Sequence, residues 1–368
     1  MQLQSIDLRN FRNYKQLHLD FGPQTNIFIG KNAQGKTNLL EAIYVLAMVR
    51  SHRTNNDQEL ISWGSDFARL NAVVKRNTTR LTLQLILSKA GKKASLNHIE
   101  QKKLSQYIGR FNVILFAPED LNLVKGSPGL RRRFIDMELG QIDRGYLVNS
   151  SKYRQVLRQR NLYLKKLHKH QTKDMIYLDV ISDQLAGFGA EIIATRNYFL
   201  GNMNKFAQQI QGEITNNQEK LQLSYESAVD HPETSVEDIY QNLLDKLKKQ
   251  QQHDIFLGST SVGPHRDDVH FLINDSDVQK FGSQGQQRSV VLSLKLAEVE
   301  VFKQEVGDYP VLLLDDVLSE LDQARQTQLL KTIENRVQTF ITTTNLENVD
   351  LKSIQDPKIF TISNGGVV

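Results

Sequence analysis

The sequence predicts an α/β protein in which a mixed β-sheet is interrupted by a long, mainly helical insertion. Three observations indicate this arrangement. A short apolar stretch, NIFI, leads through a glycine loop into an apolar segment of helical length that begins at Asn38. A second apolar stretch, VLLL, ends in Asp315 and Asp316, as a buried parallel strand does. Between the two stretches, residues 146–251 contain one proline and few strand signals, which is typical of long helices.

The first quarter of the chain alternates apolar and polar residues with the period of half-buried strands. LQSIDL and LHLDF show this period before the NIFI strand, and residues 69–88 predict two strands around a polar turn. ASLNHIEQKKL is expected to continue that antiparallel sheet. We expect the strands of the first and last quarters of the chain to form one sheet.

The middle of the chain predicts helices, and the end returns to strands. FNVILF predicts a strand that stops at Pro118, and LRRRFIDMEL begins a helical region. Two long helices, near residues 144–170 and 175–211, are expected to form an antiparallel pair. KLQLSY and VHFLIN again have strand character. A helix over residues 286–305, the strand PVLLLDD, a helix near residues 323–336 and the buried strand TFITTT complete the order.

These elements predict two lobes. Residues 1–117 and 306–368 form the first lobe, which carries the glycine loop and the acidic strand. Residues 118–305 form the second, mainly helical lobe, which is inserted into the first.

The composition excludes several classes of protein. Lys and Arg number 46 against 41 Asp and Glu, and the resulting net charge of +5 permits a polyanionic partner without requiring one. There is no cysteine, so disulfides and thiolate zinc sites are excluded. The N-terminus lacks an apolar secretion signal, and no window has the length of apolar sequence that a membrane span needs. We therefore expect a cytoplasmic protein without a membrane partner.

The glycine loop has the spacing of a phosphate-binding loop, G-x-x-x-x-G-K-T. Gly30 and Gly35 allow backbone conformations that a Cβ would obstruct, so successive N–H groups can surround phosphate oxygens. Lys36 is expected to reach the β- and γ-phosphates of ATP, and the Thr37 hydroxyl is expected to bind Mg²⁺ at the N-terminus of a helix. The predicted nucleotide-binding residues of the loop are Gly30, Lys31, Asn32, Ala33, Gln34, Gly35, Lys36 and Thr37.

The acidic strand supplies the second part of the predicted site, because ligands of α/β proteins bind at the carboxyl ends of parallel strands. Asp315 is expected to hold Mg²⁺ through water, and Asp316 to orient or deprotonate an attacking water. In the LSELD segment that follows, Ser319 or Asp322 could cap the next helix. Lys36, Asp315 and Asp316 are the candidate catalytic residues.

A second glycine turn, residues 283–286, lies just before the helix predicted from residue 286. Ser283, Gly285 and Gln286 would place a potential anion site at the start of that helix. An ordinary helix start capped by Ser283 is the alternative, and the turn alone leaves it open.

The order of the motifs favours the anion site. A phosphate loop, a long insertion, a Ser-x-Gly-Gln turn, an acidic strand and Ser-Glu-Leu-Asp together resemble the ATPase heads of the ABC and SMC families. The stretches LRNFRNY, SHRTNNDQELISWG, LFAPEDLNLVKGSPGLRRRFID, GPHRDD and GSQGQQRSVVLSLKLAE further resemble the bacterial RecF family of recombinational repair proteins, along essentially the whole chain. The expected fold is therefore an ABC-type P-loop ATPase head.

This resemblance implies a mechanism. In ABC and SMC heads, the turn that corresponds to Ser283, Gly285 and Gln286 reaches the γ-phosphate held by a second subunit. A homodimer would thus enclose two ATP molecules, with Arg12 near the phosphates. The RecF resemblance implies ATP-dependent binding to junctions of single- and double-stranded DNA, and slow hydrolysis that serves as a timer. It also implies help in loading RecA together with RecO and RecR.

The chain departs from the pattern of ABC transporters at two positions. Asp316 stands where transporters carry Glu, which places the base differently and favours slow turnover. TFITTT lacks the histidine that transporters carry after this strand, and either Thr343 or Thr344 is the expected substitute. Glu119 is the candidate residue for sensing Mg²⁺ between the lobes.

Residues 152–173 are expected to contact DNA, because they contain eight Lys or Arg and no Asp or Glu. A solvated helix face is the alternative meaning of this charge run. Arg131 to Arg133 form a second basic cluster, which could instead join the lobes or bind a partner. The candidate DNA-binding residues are Arg154, Arg158, Arg160, Lys165 and Lys166.

Two rival functions remain beside an ATP-dependent DNA-binding protein. One is a nucleotide-switched scaffold whose main ligand is protein. The other is a P-loop kinase that phosphorylates a small molecule. The turn at residues 283–286 argues against the kinase, which has no need of a contact from a second subunit.

Overall fold

The computed structural model describes residues 1–346, 354 and 356–368. The chain divides into two compact units. The first consists of Met1–Leu121, Gln209–Gln218 and Gln284–Val368, and the second of Asn122–Gln208 and Glu219–Ser283. The predicted lobes, with boundaries at residues 117 and 305, are a different division, since they assign residues 284–305 to the helical lobe.

The first unit contains an antiparallel six-stranded sheet with the spatial order β2-β1-β4-β5-β6-β7. Burial alternates along its strands, as the period of two in the sequence predicted. Its strands are β1 (Gln2–Phe11), β2 (Tyr14–Asp20), β4 (Phe67–Arg76), β5 (Thr79–Ser88), β6 (Gly91–Leu96) and β7 (Ile99–Glu100).

A second six-stranded sheet of the same unit has the order β15-β14-β3-β13-β12-β8, and all its pairs are parallel except β14 with β15. Two of its central strands are buried along their whole length, which explains why their sequences are apolar runs rather than alternations. Its strands are β3 (Thr25–Ile29), β8 (Val113–Phe116), β12 (Val311–Asp315), β13 (Thr339–Thr343), β14 (Lys358–Ser363) and β15 (Gly366–Val367).

The prediction of one sheet from the first and last quarters of the chain is therefore wrong in part. β3 joins β12, β13 and β14 as expected, but the other strands of the first quarter form the separate antiparallel sheet. Alternation shows that a strand has one face toward solvent, and it does not show which strands pair.

Helices account for most of the remaining described structure, and the α/β class is confirmed. Short 3₁₀ turns occur at Asp57–Leu60, Leu104–Gln106, Pro118–Leu121 and Val317–Glu320. The helices are α1 (Lys36–Met48), α2 (Asn122–Lys125), α3 (Pro128–Ile142), α4 (Arg144–His168), α5 (Met175–Ile214), α6 (Val236–Lys249), α7 (Gln251–Leu257), α8 (Val278–Phe281), α9 (Gln284–Val306) and α10 (Gln323–Ile333). Within the described residues, no helix is both long enough and apolar enough to cross a membrane.

The second unit is mainly helical and contains a three-stranded antiparallel sheet, β11-β10-β9. The strands are β9 (Leu221–Glu226), β10 (Asp268–Ile273) and β11 (Ser276–Asp277). The predicted antiparallel pair of long helices is confirmed as α4 and α5. Leu164 and Leu167 of α4 pack against Leu178 of α5, so buried leucines of the two helices form one cluster.

Candidate functional site

The phosphate loop, residues 30–37, joins β3 to α1 as the sequence predicted. Gly35 caps the start of α1 with a φ of 118°, a left-handed conformation that favours glycine. A Cβ at Gly35 would lie 2.6 Å from Asn13 Nδ2, and a Cβ at Gly30 would lie 2.3 Å from the Ile362 carbonyl oxygen of β14. Gly30 is therefore required by the backbone of β14, and Gly35 by its left-handed conformation.

Lys36 directs its ammonium group back into this loop. Its Nζ donates to the carbonyl oxygens of Gly30, at 2.6 Å, and Lys31, at 2.9 Å. Burial lowers the pKa of Lys36, while the charges of Asp316 and Asp315 raise it in opposition. The loop therefore holds a positive charge beside the carboxyl edge of the sheet, where an anion entering the loop would meet it.

Thr37 and Asp315 meet at that edge. Thr37 Oγ1 donates to Asp315 Oδ1 at 2.9 Å, and Thr342 Oγ1 donates to the same carboxylate oxygen at 2.8 Å. Hydroxyl and carboxylate oxygens are ligands that Mg²⁺ accepts. The donor set fits a magnesium ion held between the start of α1 and the end of β12.

Thr342 is a site residue that the sequence reasoning missed. It lies beside Asp315 because β12 and β13 are parallel and pair these two residues directly. The signal was present as a threonine in TFITTT, but its partner becomes evident only when the two strands are aligned in register.

Asp316 follows β12 in a left-handed conformation, with a φ of 54°. This conformation costs a non-glycine residue free energy and is held here by the surrounding structure. The backbone N–H of Asp316 donates to Thr342 Oγ1 at 2.9 Å, and the side chain is exposed. The strand therefore ends with one carboxylate fixed at the edge of the sheet and the next one turned toward solvent.

Arg12 lies beside the loop, but its guanidinium is bound by Glu41 of α1. Its Nε and Nη2 donate to the two carboxylate oxygens at 2.8 Å each, and its Nη1 donates to the Glu59 carbonyl oxygen at 2.9 Å. Ser51 Oγ also donates to Glu41, at 2.5 Å. Burial raises the pKa of Glu41, but the hydrogen bonds from Arg12 and Ser51 outweigh it and lower that pKa. Contact of Arg12 with phosphates stays a prediction.

The predicted turn at residues 283–286 is mostly the first turn of α9, because the helix begins at Gln284, two residues earlier than the sequence predicted. Arg325 of α10 holds the start of that helix: its Nη2 donates to the Gly285 carbonyl oxygen at 3.1 Å, and its Nε donates to Ser289 Oγ at 2.9 Å. Ser283 is exposed, and Gln286 is half-buried. The turn thus presents polar groups at a firmly held helix N-terminus, as a contact with a second chain would require.

The residues of the LSELD segment have separate roles. Asp322 caps α10 by accepting from the Arg325 N–H at 2.9 Å. Ser319 Oγ instead donates to the Asp316 carbonyl oxygen at 2.7 Å. Of the two predicted caps, Asp322 is therefore the one observed.

The three remaining candidates lie near strand ends. Thr343 is buried and donates through Oγ1 to the Asn345 carbonyl oxygen at 2.8 Å, whereas Thr344 is exposed. Glu119 is exposed in a 3₁₀ turn after β8. The proposed roles of Thr343 or Thr344, and of Glu119, stay predictions.

The basic stretch forms the second half of α4 and the turn after it. Arg154, Arg158, Lys165 and Lys166 are exposed along the helix. Their spacing places cations on its solvent face, which is the arrangement that neutralises phosphates.

The prediction that Arg160 contacts DNA is wrong. Its side chain is fully buried. Nη1 donates to Asp254 Oδ2 at 2.7 Å, and Nε donates to Ser182 Oγ at 2.9 Å. Val156 and Leu164, one turn away on either side, are also buried, so the helical period turns Arg160 toward the interior.

Arg131, the first residue of the second basic cluster, has a structural role inside the second unit. Arg131 is buried and makes two parallel hydrogen bonds of 2.7 Å to the carboxylate of Asp268. This bidentate pair joins α3 to β10 within the second unit.

Comparison with known proteins agrees with the motifs. The family described as RecF/RecN/SMC N terminal domain matches residues 2–354. The DNA replication and repair protein RecF of Latilactobacillus sakei subsp. sakei (strain 23K) is 56% identical over 370 residues, which cover 100% of this chain and 99% of that protein. The protein of the same name from Ligilactobacillus salivarius (strain UCC118) is 53% identical over 368 residues, covering 100% of this chain and 97% of that protein.

Solved structures agree as well. A structure of the recombination mediator protein RecF-ATPrS in the RecFOR pathway superposes with a TM-score of 0.92 at 35% identity, covering 100% of this chain and 97% of that one. The Smc head domain of Pyrococcus furiosus, at 14% identity and a TM-score of 0.57, shares the fold alone. The chain therefore belongs to the RecF family, within the wider group of RecF, RecN and SMC proteins.

Proposed function

We propose that this chain binds ATP and Mg²⁺ and acts as a recombination mediator in DNA repair. The observation that carries the proposal is the 2.9 Å hydrogen bond between Thr37 and Asp315, with the Lys36 ammonium held in the adjoining loop. A phosphate loop and an acidic strand occur separately in many proteins, but together they supply a cation for phosphate and oxygens for the metal. The solved relatives named for RecF-ATPrS and RecF-ATP support the choice of nucleotide.

Each residue of the site has a distinct task in this proposal. Lys36 neutralises the β- and γ-phosphates, and Thr37 and Asp315 hold Mg²⁺, the latter through water. Mg²⁺ would neutralise charge on the phosphate oxygens. Asp316 orients the attacking water from its exposed position and accepts a proton from it. The short side chain of this aspartate favours slow hydrolysis, which suits a timer.

The proposed active form is a homodimer. Ser283, Gly285 and Gln286 of one chain would contact the γ-phosphate that the phosphate loop of the other chain holds. The firmly held start of α9 supports this, because a helix N-terminus stabilises an anion only when its N–H groups are fixed. ATP would then close two chains, and hydrolysis would release them.

DNA would bind along the exposed cations of α4, namely Arg154, Arg158, Lys165 and Lys166. The expected substrate is a junction of single- and double-stranded DNA, and the expected partners are RecR, RecO and RecA. The RecFOR pathway named for a solved relative supports this assignment. Neutralisation of phosphates by lysine and arginine makes such binding strongly dependent on salt.

A second candidate function is a nucleotide-switched scaffold whose main ligand is protein. The observation that favours it lies on the same pair of helices: Leu162, Ile176 and Val180 are 63%, 77% and 50% exposed. Exposed apolar side chains next to cations are typical of a protein interface.

The deciding experiment measures binding of the full chain to gapped, single-stranded and duplex DNA, with and without ATP and Mg²⁺. We expect ATP to strengthen binding to the gapped substrate, and salt to weaken it steeply. A variant with Arg158, Lys165 and Lys166 changed to Ala should lose most of the affinity. DNA affinity that is indifferent to ATP, salt and these substitutions would refute the DNA-binding proposal and leave the scaffold.

A further inference from the structure

Trp63 is the only tryptophan of the chain, and its side chain is fully exposed, at 102% of the reference area. It has the largest exposed fraction among the large apolar side chains of the described residues. Tryptophan offers a broad π surface that is normally buried on folding or on binding. An indole left entirely in water therefore points to a ligand that covers it.

The turn that carries Trp63 is firmly held. The backbone N–H of Ser62 donates to the Asn10 carbonyl oxygen at 2.9 Å, and Ser62 Oγ donates to the Arg12 carbonyl oxygen at 2.6 Å. The Ser65 N–H closes the turn on the Ser62 carbonyl oxygen at 3.0 Å. Since the backbone on both sides of Trp63 is fixed, the indole presents its surface with little loss of backbone freedom on binding.

The segment that fixes this turn also fixes the phosphate loop. Directly after Arg12, Asn13 Nδ2 donates to the Gln34 carbonyl oxygen at 3.1 Å, and Tyr14 Oη donates to the Gly35 carbonyl oxygen at 2.9 Å. Ser62, the neighbour of Trp63, and the phosphate loop are thus both hydrogen-bonded to residues 12–14, at the end of β1 and the start of β2, within one unit. The backbone that carries Trp63 is therefore tied to the same segment of chain as the phosphate loop.

The phosphate loop by itself recognises only part of a nucleotide. Lys36, Thr37 and the backbone of residues 30–37 act on phosphate and metal, and they are indifferent to the base. A nucleobase is the part of ATP that gains from an aromatic surface, because base–aromatic stacking strengthens binding by about five- to a hundredfold.

We propose that Trp63 stacks on the adenine of the nucleotide whose phosphates bind at residues 30–37. This inference rests on the proposed binding of ATP and deepens it by assigning the residue that holds the base. Stacking uses the π surface alone, so it favours a purine over no base and does not by itself separate adenine from guanine.

Trp63 also supplies the measurement, because its fluorescence is the sole tryptophan signal of the chain. We expect saturable quenching when the full chain is titrated with ATP or ADP in the presence of Mg²⁺. Inorganic tripolyphosphate should compete with ATP for the loop without quenching. The quenching should not change with protein concentration, because the proposed contact lies within one chain and its own nucleotide.

Calorimetric titration of variants gives an independent readout. Trp63→Ala should weaken ATP binding by about tenfold and leave tripolyphosphate binding unchanged, and Trp63→Phe should restore most of the loss. Ile99→Ala, which removes an exposed apolar side chain of β7 in the same unit, is the matched control and should bind ATP normally.

Three results would overturn the inference. The first is ATP binding with unchanged tryptophan fluorescence, and the second is equal loss of ATP and tripolyphosphate affinity in Trp63→Ala. The third is quenching that appears only on dimerisation or on addition of DNA, which would assign Trp63 to a second copy or to a DNA base. If the unmodified chain binds no ATP, the proposed function fails and the inference fails with it. Tight binding that Lys36→Met abolishes, without quenching, refutes the inference alone.

Discussion

Thr37 and Asp315 are separated by 278 positions in the chain and are joined by a hydrogen bond of 2.9 Å. The bond follows from the sheet, in which β13 lies between β3 and β12 and all three strands are parallel. The carboxyl ends of β3 and β12 therefore reach the same edge, one leading into the phosphate loop and the other ending at the carboxylate. The two ends of the chain thus build one site.

Removing the ammonium group of the phosphate loop should abolish tight nucleotide binding. We expect Lys36→Met to weaken ATP affinity by about tenfold to a hundredfold, because a charged hydrogen bond to phosphate is lost. Lys102→Met is the matched control, since it removes an exposed lysine of the same unit that lies outside the loop. Calorimetric titration measures both variants. Equal affinity of the two for ATP would contradict the assignment of Lys36.

Neutralising the carboxylate after β12 should separate binding from hydrolysis. We expect Asp316→Asn to bind ATP with unchanged affinity and to hydrolyse it about a hundredfold more slowly, because the amide cannot accept the proton of the attacking water. Single-turnover hydrolysis with saturating protein measures the chemical step directly. A rate equal to that of the unmodified chain would assign the base to another residue.

Two neighbouring arginines of α4 should respond in opposite ways. Arg160→Leu leaves the buried Asp254 carboxylate without its cation, so we expect a loss of about 3–5 kcal/mol in the free energy of unfolding. Arg158→Leu should leave stability nearly unchanged, weaken DNA binding and reduce the salt dependence by about one unit of slope. Urea unfolding and DNA titrations at several salt concentrations compare the pair. Equal stability of the two variants would contradict the burial of Arg160.

Protonation of the Glu41 carboxylate should lower the free energy of unfolding at acidic pH. Its pKa in the folded chain lies below the usual 4.5, so its contribution is fully present above about pH 4.5 and is lost as the pH falls through the lower folded value. We expect Glu41→Gln to be less stable than the unmodified chain by about 3 kcal/mol at pH 7. The difference should shrink as the pH is lowered below 4.5, and urea unfolding across this range measures it. A difference independent of pH would show that the charge of Glu41 does not stabilise the fold.

The motifs could be predicted from sequence because their chemistry is local. Any phosphate loop needs glycine at the two positions that Gly30 and Gly35 occupy here. A strand that ends in two aspartates places them at the edge of a sheet. Thr342 could not be identified in this way, because its contact with Asp315 depends on the register between β12 and β13. The sequence predicts antiparallel strands in the first quarter but does not show that they form a sheet of their own, since pairing is a property of two strands.

The error at Arg160 has a different origin. The charge run from residue 152 to residue 173 does not form one surface, because a helix turns part of any such run inward. Val156, Arg160 and Leu164 share one face, and that spacing was present in the sequence. Arg160 can be buried because it pairs with the Asp254 carboxylate, which lies 94 positions away in the chain. The sequence could therefore indicate that Arg160 points inward, but it could not identify its partner.

The central claim is that Thr37 and Asp315 act together on one MgATP. A double-mutant cycle on ATP affinity, with Thr37→Ala, Asp315→Asn and the combined variant, tests it by calorimetry with and without Mg²⁺. If the two residues share the metal, each single variant should lose the Mg²⁺-dependent part of the affinity, and the combined variant should be little weaker than the worse single one. Losses that add fully in the combined variant, or that are the same without Mg²⁺, would contradict the shared site.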